Sequence, residues 1–200
     1  MSFSLGKILG GERAAEAAGG GSAPSVALPS ALQLGRGDDR EERALRPQPE
    51  PPFVLVGAVL LITVAGTNGK GSVAATLASI LNACGLRTGL YTSPHLVRFN
   101  ERIVVDRQPI TDEHVLSAYR AVKAAATVDR EPTFFEFATA MAFHEFKCRR
   151  IEWAVVETGM GGRLDATNII HPALSIITNV SLEHREYLGR RIAQIAGEKA

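Results

Sequence analysis

LLITVAGTNGKGSVAATLASIL, residues 60–81, is an apolar run broken by a glycine-rich loop and followed at once by helical periodicity. The order reads as strand, phosphate loop, helix. Gly66, Gly69 and Gly71 lack side chains, so the backbone can turn its N–H groups inward, and the following helix adds the positive end of its macrodipole. An anion fits there. Lys70 brings an ammonium able to reach terminal phosphate oxygens. The hydroxyls of Thr67 and Ser72 can add hydrogen bonds or face a magnesium ion. The spacing departs from the usual phosphate loop, in which Ser or Thr follows Lys directly, because Gly71 stands between Lys70 and Ser72. A glycine-rich turn that merely caps a helix is the alternative. Strand, Lys, hydroxyls and helix in this order favour a nucleoside triphosphate site.

Outward from this stretch, the chain reads as alternating strands and helices. Val73, Leu77, Ile80, Leu81 and Cys84 fall on one helical face, and Gly85 supplies a stop. Residues 87–92 form a second strand, which runs into a polar loop with Pro94 and closes in an apolar strand ending at Val105. Thr111 caps a helix with Asp112 and Glu113 in its first turn and Val115, Leu116, Tyr119 and Val122 on one side. Thr133 opens another helix, where the T-x-x-E spacing to Glu136 is a capping box and Phe134, Phe135, Phe137, Phe143 and Phe146 read as core. Residues 151–156 form a strand ending in Glu157, and residues 173–178 form the next. The pattern predicts an α/β fold, a parallel sheet flanked by helices.

Two hundred residues with a net charge of +1 suit one ordinary domain and give no sign of a nucleic-acid partner or an anionic membrane. Cys84 and Cys148 stand far apart, which argues against a zinc site or a disulfide framework and fits a reducing cytoplasm. The apolar run of residues 53–65 is too short to span a bilayer. No secretory signal follows Lys7. Residues 1–52 are rich in Gly, Ala, Pro and Arg and are expected to be disordered, a linker rather than a folded unit.

In open parallel sheets, ligands gather outside the carboxyl ends of the strands, and the unusual residues of this chain stand at those ends. Strand one ends in the phosphate loop, strand two in Thr92, Ser93 and His95, strand three in Glu157, and strand four in Asn179 with His184 shortly after. Following an apolar run, Glu157 needs a cation or hydrogen-bond donors. Magnesium on a phosphate would serve, and an ion pair with Arg163 is the alternative.

The motifs GTNGKGS, YTSPHLVRFNERI, TFFEFATAMAF, VETGMGGRLDATN, ITN, LEHREYLG and GEKA occur in this order between about residue 63 and residue 200. Together they resemble folylpolyglutamate synthase and dihydrofolate synthase, of the Mur ligase superfamily. The resemblance implies a central ATPase domain, here residues 53–200 and incomplete, with the C-terminal domain of the family absent. It also implies an ATP-dependent amide ligase; the chain itself is expected to be a cytoplasmic monomer. In such a ligase, ATP phosphorylates a carboxyl of dihydropteroate or of a (poly)glutamyl folate, and L-glutamate attacks the acyl phosphate. By the same resemblance, Asn68, Gly69, Lys70 and Gly71 match the ATP loop, and Ser93, Glu157 and His184 match magnesium ligands. Thr133, Phe134, Phe135 and Glu136, with Leu164, Asp165 and Ala166, match segments that hold the pterin-bearing substrate, where Phe135 would stack on the ring. Lys199 matches a lysine that the family carbamylates. Two departures stand out within the matched region and just ahead of it: Glu183 replaces the Asp common before the metal-binding His, and Gly- and Pro-rich sequence replaces a short helical segment ahead of the ATP loop. A chain ending at Ala200 is expected to be a fragment, so an inactive nucleotide-binding remnant is the rival reading. A P-loop kinase or other NTPase is a weaker one.

Overall fold

The computed structural model describes residues 59–126 and 132–200; the expected disordered segment 1–52 and the start of the apolar run lie outside them. The strand β1 (Leu60–Ala65) leads through the phosphate loop into the helix α1 (Lys70–Ala83) and then the strand β2 (Thr88–Tyr91). A 3₁₀ turn (Phe99–Arg102) precedes the short strands β3 (Ile103–Val105) and β4 (Gln108–Pro109). The helices α2 (Asp112–Ala125) and α3 (Phe134–Cys148) follow. The chain then forms β5 (Trp153–Glu157), β6 (Leu174–Ile177), α4 (Arg185–Leu188) and α5 (Ile192–Lys199).

The strands make one six-stranded sheet in the order β4-β3-β2-β5-β1-β6. β1 pairs in parallel with β5 and β6, and β2 in parallel with β5. β3 runs antiparallel to β2, and β4 antiparallel to β3. The fold class is therefore as expected, but one edge of the sheet is antiparallel. The physical reason is connection length: a parallel return needs a crossover of a dozen or more residues, usually a helix, whereas β2 reaches β3 through a loop and a single 3₁₀ turn.

Side-chain alternation along β5 separates two cores. Ala154 and Val156 point into a large one with Tyr91, Ile103, Met141, Phe143 and Phe146, while Val155 points into a smaller one with Ile62, Val64, Ala74 and Ala78. Two expectations change here. The face that α1 buries centres on Ala74 and Ala78, with Val73, Leu77 and Leu81 partly covered. Ile80 is 54% exposed, and Cys84 is also exposed. The stripe that carries Ala74 and Ala78 faces the sheet, and at 3.6 residues per turn Ile80 falls outside it. On α3, Phe143 and Phe146 are core, whereas Phe134 is 61% exposed.

The helix starts are as the sequence implies. The Thr111 hydroxyl accepts from the His114 N–H at 3.4 Å. The hydroxyl of Thr133 accepts from the Glu136 N–H at 3.3 Å while the Thr133 N–H donates to Glu136 Oε2 at 2.7 Å, a reciprocal cap. Among the described residues, no helix is long and apolar enough to cross a membrane.

Candidate active site

The carboxyl ends of β1, β2, β5 and β6 lie side by side in the sheet, and the loops that leave them build the site. α1 begins with Gly69 as its N-cap, at φ 78, with no side-chain cap and no acidic residue in the first turn. Its first N–H groups therefore lack both the usual protein acceptor and the usual protein anion. The Lys70 ammonium folds over this loop, donating to the carbonyls of Gly66 at 3.1 Å and Thr67 at 3.3 Å.

Glu157, the last residue of β5, is 5% exposed and faces the start of α1. A Cβ on Gly71 would sit 3.4 Å from Glu157 Oε2 and 3.7 Å from Oε1. Glycine between Lys70 and Ser72 thus leaves open the approach to the carboxylate. Glu157 Oε2 accepts from the Ser93 N–H at 2.9 Å, so the structure brings these two residues together. Burial pushes the Glu157 carboxyl above its ordinary range; the Ser93 N–H and the Lys70 charge oppose that shift without cancelling it. A buried carboxylate with an incomplete set of donors fits a cation. The alternative partner is engaged elsewhere: both carboxylate oxygens of Glu198 accept from Arg163 Nη2, at 2.8 and 3.0 Å.

Among the described residues, no hydrogen bond ties His184 to the pair of Glu157 and Ser93. His184 is exposed, sits at the N-cap of α4 with φ 41, and its carbonyl accepts from the N–H groups of Tyr187 and Leu188 at 2.8 Å each. Lys199 is buried near the loop, donating to the Gly66 carbonyl at 2.9 Å and to Glu183 Oε1 at 2.5 Å. Burial pushes Glu183 upward, but hydrogen bonds from Lys199 and Thr67, with the charges of Lys199 and Lys70, outweigh it and leave the carboxyl below its ordinary value.

On the other face of the sheet, Phe135 and Asp165 meet at Gly159. A Cβ on that glycine would lie 2.6 Å from Phe135 Cζ and 3.0 Å from Asp165 Oδ2. Asp165 accepts from the Met160 N–H at 2.9 Å and, through Oδ1, from the Thr167 N–H at 3.1 Å and hydroxyl at 2.7 Å, which fixes the loop after β5. Phe134 and Leu164 are exposed, Leu164 at 80%, and Ala166 is half-buried. Thr133 and Glu136 are spent on the helix cap. Sequence reasoning overlooked Arg102, a guanidinium 7% exposed whose Nε donates to His95 Nδ1 at 2.8 Å and whose Cζ lies 5.2 Å from the Phe134 ring centre. The signal was weak, because one Arg in FNERI looks like any surface charge.

Strand, glycine-rich loop and helix at the carboxyl edge of a mostly parallel sheet, with a lysine over the loop and a buried carboxylate against the helix start, define a phosphate-loop α/β domain. Within that class, the chain belongs to the Mur ligase middle domain family, which it matches over residues 64–200. It is 46% identical over 145 residues to the folylpolyglutamate synthase of Lacticaseibacillus casei, covering 70% of this chain and 34% of that protein. To the dihydrofolate synthase/folylpolyglutamate synthase of Escherichia coli it is 41% identical over 147 residues, covering 74% and 35%. Among solved structures, an FPGS complex with AMPPCP superposes with a TM-score of 0.68 at 46% identity, covering 70% of this chain and 36% of that one. The E. coli FolC complex with DHPP and ADP gives a TM-score of 0.68 at 40% identity, covering 70% and 34%. The chain thus spans about a third of the length of the curated relatives it matches.

Proposed function

We propose that this chain is the nucleotide-binding part of an ATP-dependent ligase that joins L-glutamate to dihydropteroate or to a (poly)glutamyl folate through an acyl phosphate. The observation that carries the reading is the buried Glu157 carboxylate against Gly71, beside a loop whose lysine donates to the Gly66 and Thr67 carbonyls. Phosphoryl transfer gathers charge on the terminal phosphate oxygens, and fixed cations and N–H donors stabilise it. Lys70 would move from the Gly66 and Thr67 carbonyls to those oxygens. Glu157, Ser93 and His184 would hold magnesium, which supplies further positive charge to the transferring group when bound. On the opposite face, Phe135 offers an aromatic surface and Asp165 a carboxylate, the pair of features a flat, hydrogen-bonding pterin needs. Carbamylation of Lys199 would replace its ion pair with Glu183 by an anion near the loop, a change visible as added mass on the intact chain.

The testing experiment incubates the chain with MgATP, dihydropteroate and labelled L-glutamate and follows both ADP and labelled product. Glutamate-dependent ADP release is expected. The rival reading is a domain that binds nucleotide without turnover. MgATP binding with no glutamate-dependent product would select that reading. Absence of MgATP binding would remove both.

A further inference from the structure

β6 ends at Ile177, yet the chain that follows stays against the phosphate loop. The Thr178 N–H donates to the Ala65 carbonyl at 3.0 Å, and the Thr67 N–H donates to the Asn179 carbonyl at 2.9 Å, so strand-like pairing continues past both strand ends. The Asn179 carboxamide then spans one peptide unit of the loop: Oδ1 accepts from the Asn68 N–H at 3.1 Å, and Nδ2 donates to the Asn68 carbonyl at 3.3 Å. The Thr178 hydroxyl donates to that same carbonyl at 2.7 Å. A further contact anchors the preceding residue, the Ser181 N–H donating to the Thr67 hydroxyl at 3.0 Å.

Gly66 shows how closely the two segments fit. Its φ is 140, and a Cβ there would lie 1.9 Å from the Thr178 hydroxyl oxygen, which therefore occupies the space the missing side chain leaves. The loop is moulded by the end of β6. Asn68 itself is exposed and contributes no core packing, so these polar contacts are what hold its peptide in one orientation.

We infer that Thr178 and Asn179 are positioning residues for the bound nucleotide. They act through the Asn68 peptide, fixing the chain where it enters α1, so that the unpartnered N–H groups at the helix start are aimed before any phosphate arrives. Preorganisation of this kind raises affinity by removing the entropic cost of ordering the loop at the moment of binding. The inference rests on the nucleotide reading above.

The test uses Thr178→Ala, Thr178→Ser and Asn179→Ala in the full chain, with three readouts: melting temperature, amide exchange of residues 67–71 without nucleotide, and MgATP affinity by calorimetry. Thr178→Ala and Asn179→Ala are each expected to speed exchange at Asn68 and to weaken MgATP binding about tenfold, the equivalent of one net hydrogen bond, while melting changes little. Thr178→Ser keeps the hydroxyl and should restore both. Should Thr178→Ala fail to fold, Asn179→Ala carries the test, since that side chain is exposed. Unchanged exchange and affinity in these variants would overturn the inference, as would losses that simply track melting temperature and are not rescued by Ser. If the wild-type chain bound no MgATP, the nucleotide reading itself would fail and take this assignment with it. The wild-type titration tells that failure from the others.

Discussion

The two faces of the sheet are built from different materials. Against α1 the core is small: Val155, Ile62 and Val64 meet Ala74 and Ala78. Against α3 it is large and aromatic, with Tyr91, Phe143 and Phe146 buried and Phe135 packed at its margin. Neighbouring residues of β5 serve both, Val155 one face and Val156 the other. The difference teaches how one sheet edge can present two kinds of surface. Small side chains let a helix start and its loop come close to the strand ends, where backbone N–H groups and Lys70 meet the Glu157 carboxylate. Large rings on the other face spill over the same edge as Phe135 and Phe134, an apolar platform beside a charged one.

The comparison breaks if the two cores respond alike to truncation. Phe146→Ala removes a ring that is 1% exposed and should cost about 3–5 kcal/mol, whereas Val155→Ala on the small face removes two methyl groups and should cost about 2 kcal/mol. Urea midpoints at unchanged slope measure both. Equal losses would mean that the small core is as tightly interlocked as the aromatic one.

The glycines of the loop sharpen the contrast, because two of them are needed for different reasons. Gly66 has φ 140 and abuts Thr178, so Gly66→Ala should destabilise by about 2–3 kcal/mol through backbone strain and overlap. Gly71 has ordinary helical freedom, and its Cβ would reach Glu157 at no less than 3.4 Å. Gly71→Ala should therefore leave stability unchanged or raise it by about 0.5–1 kcal/mol, while crowding the approach to the carboxylate. Thermal melts separate the two. A loss at Gly71 as large as at Gly66 would show that the loop is strained throughout.

These two glycines also mark how far the sequence could be read. Residues 60–81 announced strand, loop and helix because the apolar run, the glycines and the helical period are local signals, and Glu157 followed from the apolar run before it. What the sequence withheld depends on contacts between distant segments. The Thr178 and Asn179 grip on Asn68 spans more than a hundred residues of chain. The engagement of Arg163 by Glu198 and the seating of His95 against Arg102 likewise exist only after folding. Helical periodicity named the wrong outer edge of the α1 face, placing Ile80 inside, because it cannot distinguish a stripe centred on Ala74 and Ala78 from one centred on larger neighbours. The antiparallel edge at β3 was missed because an apolar segment carries no direction of its own.

On the charged side of the comparison, Lys70→Ala should lower the melting temperature only modestly: the ammonium donates to the loop carbonyls of Gly66 and Thr67, and its charge acts on the Glu157 and Glu183 carboxyls. It should weaken MgATP binding by about 1.5–3 kcal/mol, the worth of one charge-assisted contact. Calorimetric titration decides. Equal nucleotide affinity in the variant would dismantle the phosphate-loop assignment while leaving the two cores untouched.

The smallest effect is the most specific to the site. Burial holds the Glu157 carboxyl above its ordinary value of 4.5, which means that the folded chain binds a proton there more readily than the unfolded chain does. Between the two values the folded state carries the extra proton, so raising the pH works against folding, and the contribution of Glu157 to stability is full below 4.5 and lost as pH climbs through the folded value. Glu157→Gln keeps the shape and an oxygen able to accept from the Ser93 N–H, but it cannot ionise. Without divalent cation, the variant should therefore match the wild type at pH 4, melt higher at pH 7, and open that gap progressively between. Magnesium should narrow the gap at pH 7 by stabilising the wild type alone, because a cation beside the carboxylate returns the advantage to the charged form. Melting curves across pH, with and without magnesium, read both effects. A gap independent of pH, or a variant less stable than wild type at pH 7, would mean that Glu157 is already satisfied by Ser93 and Lys70 and that nothing at this end of β5 calls for a metal.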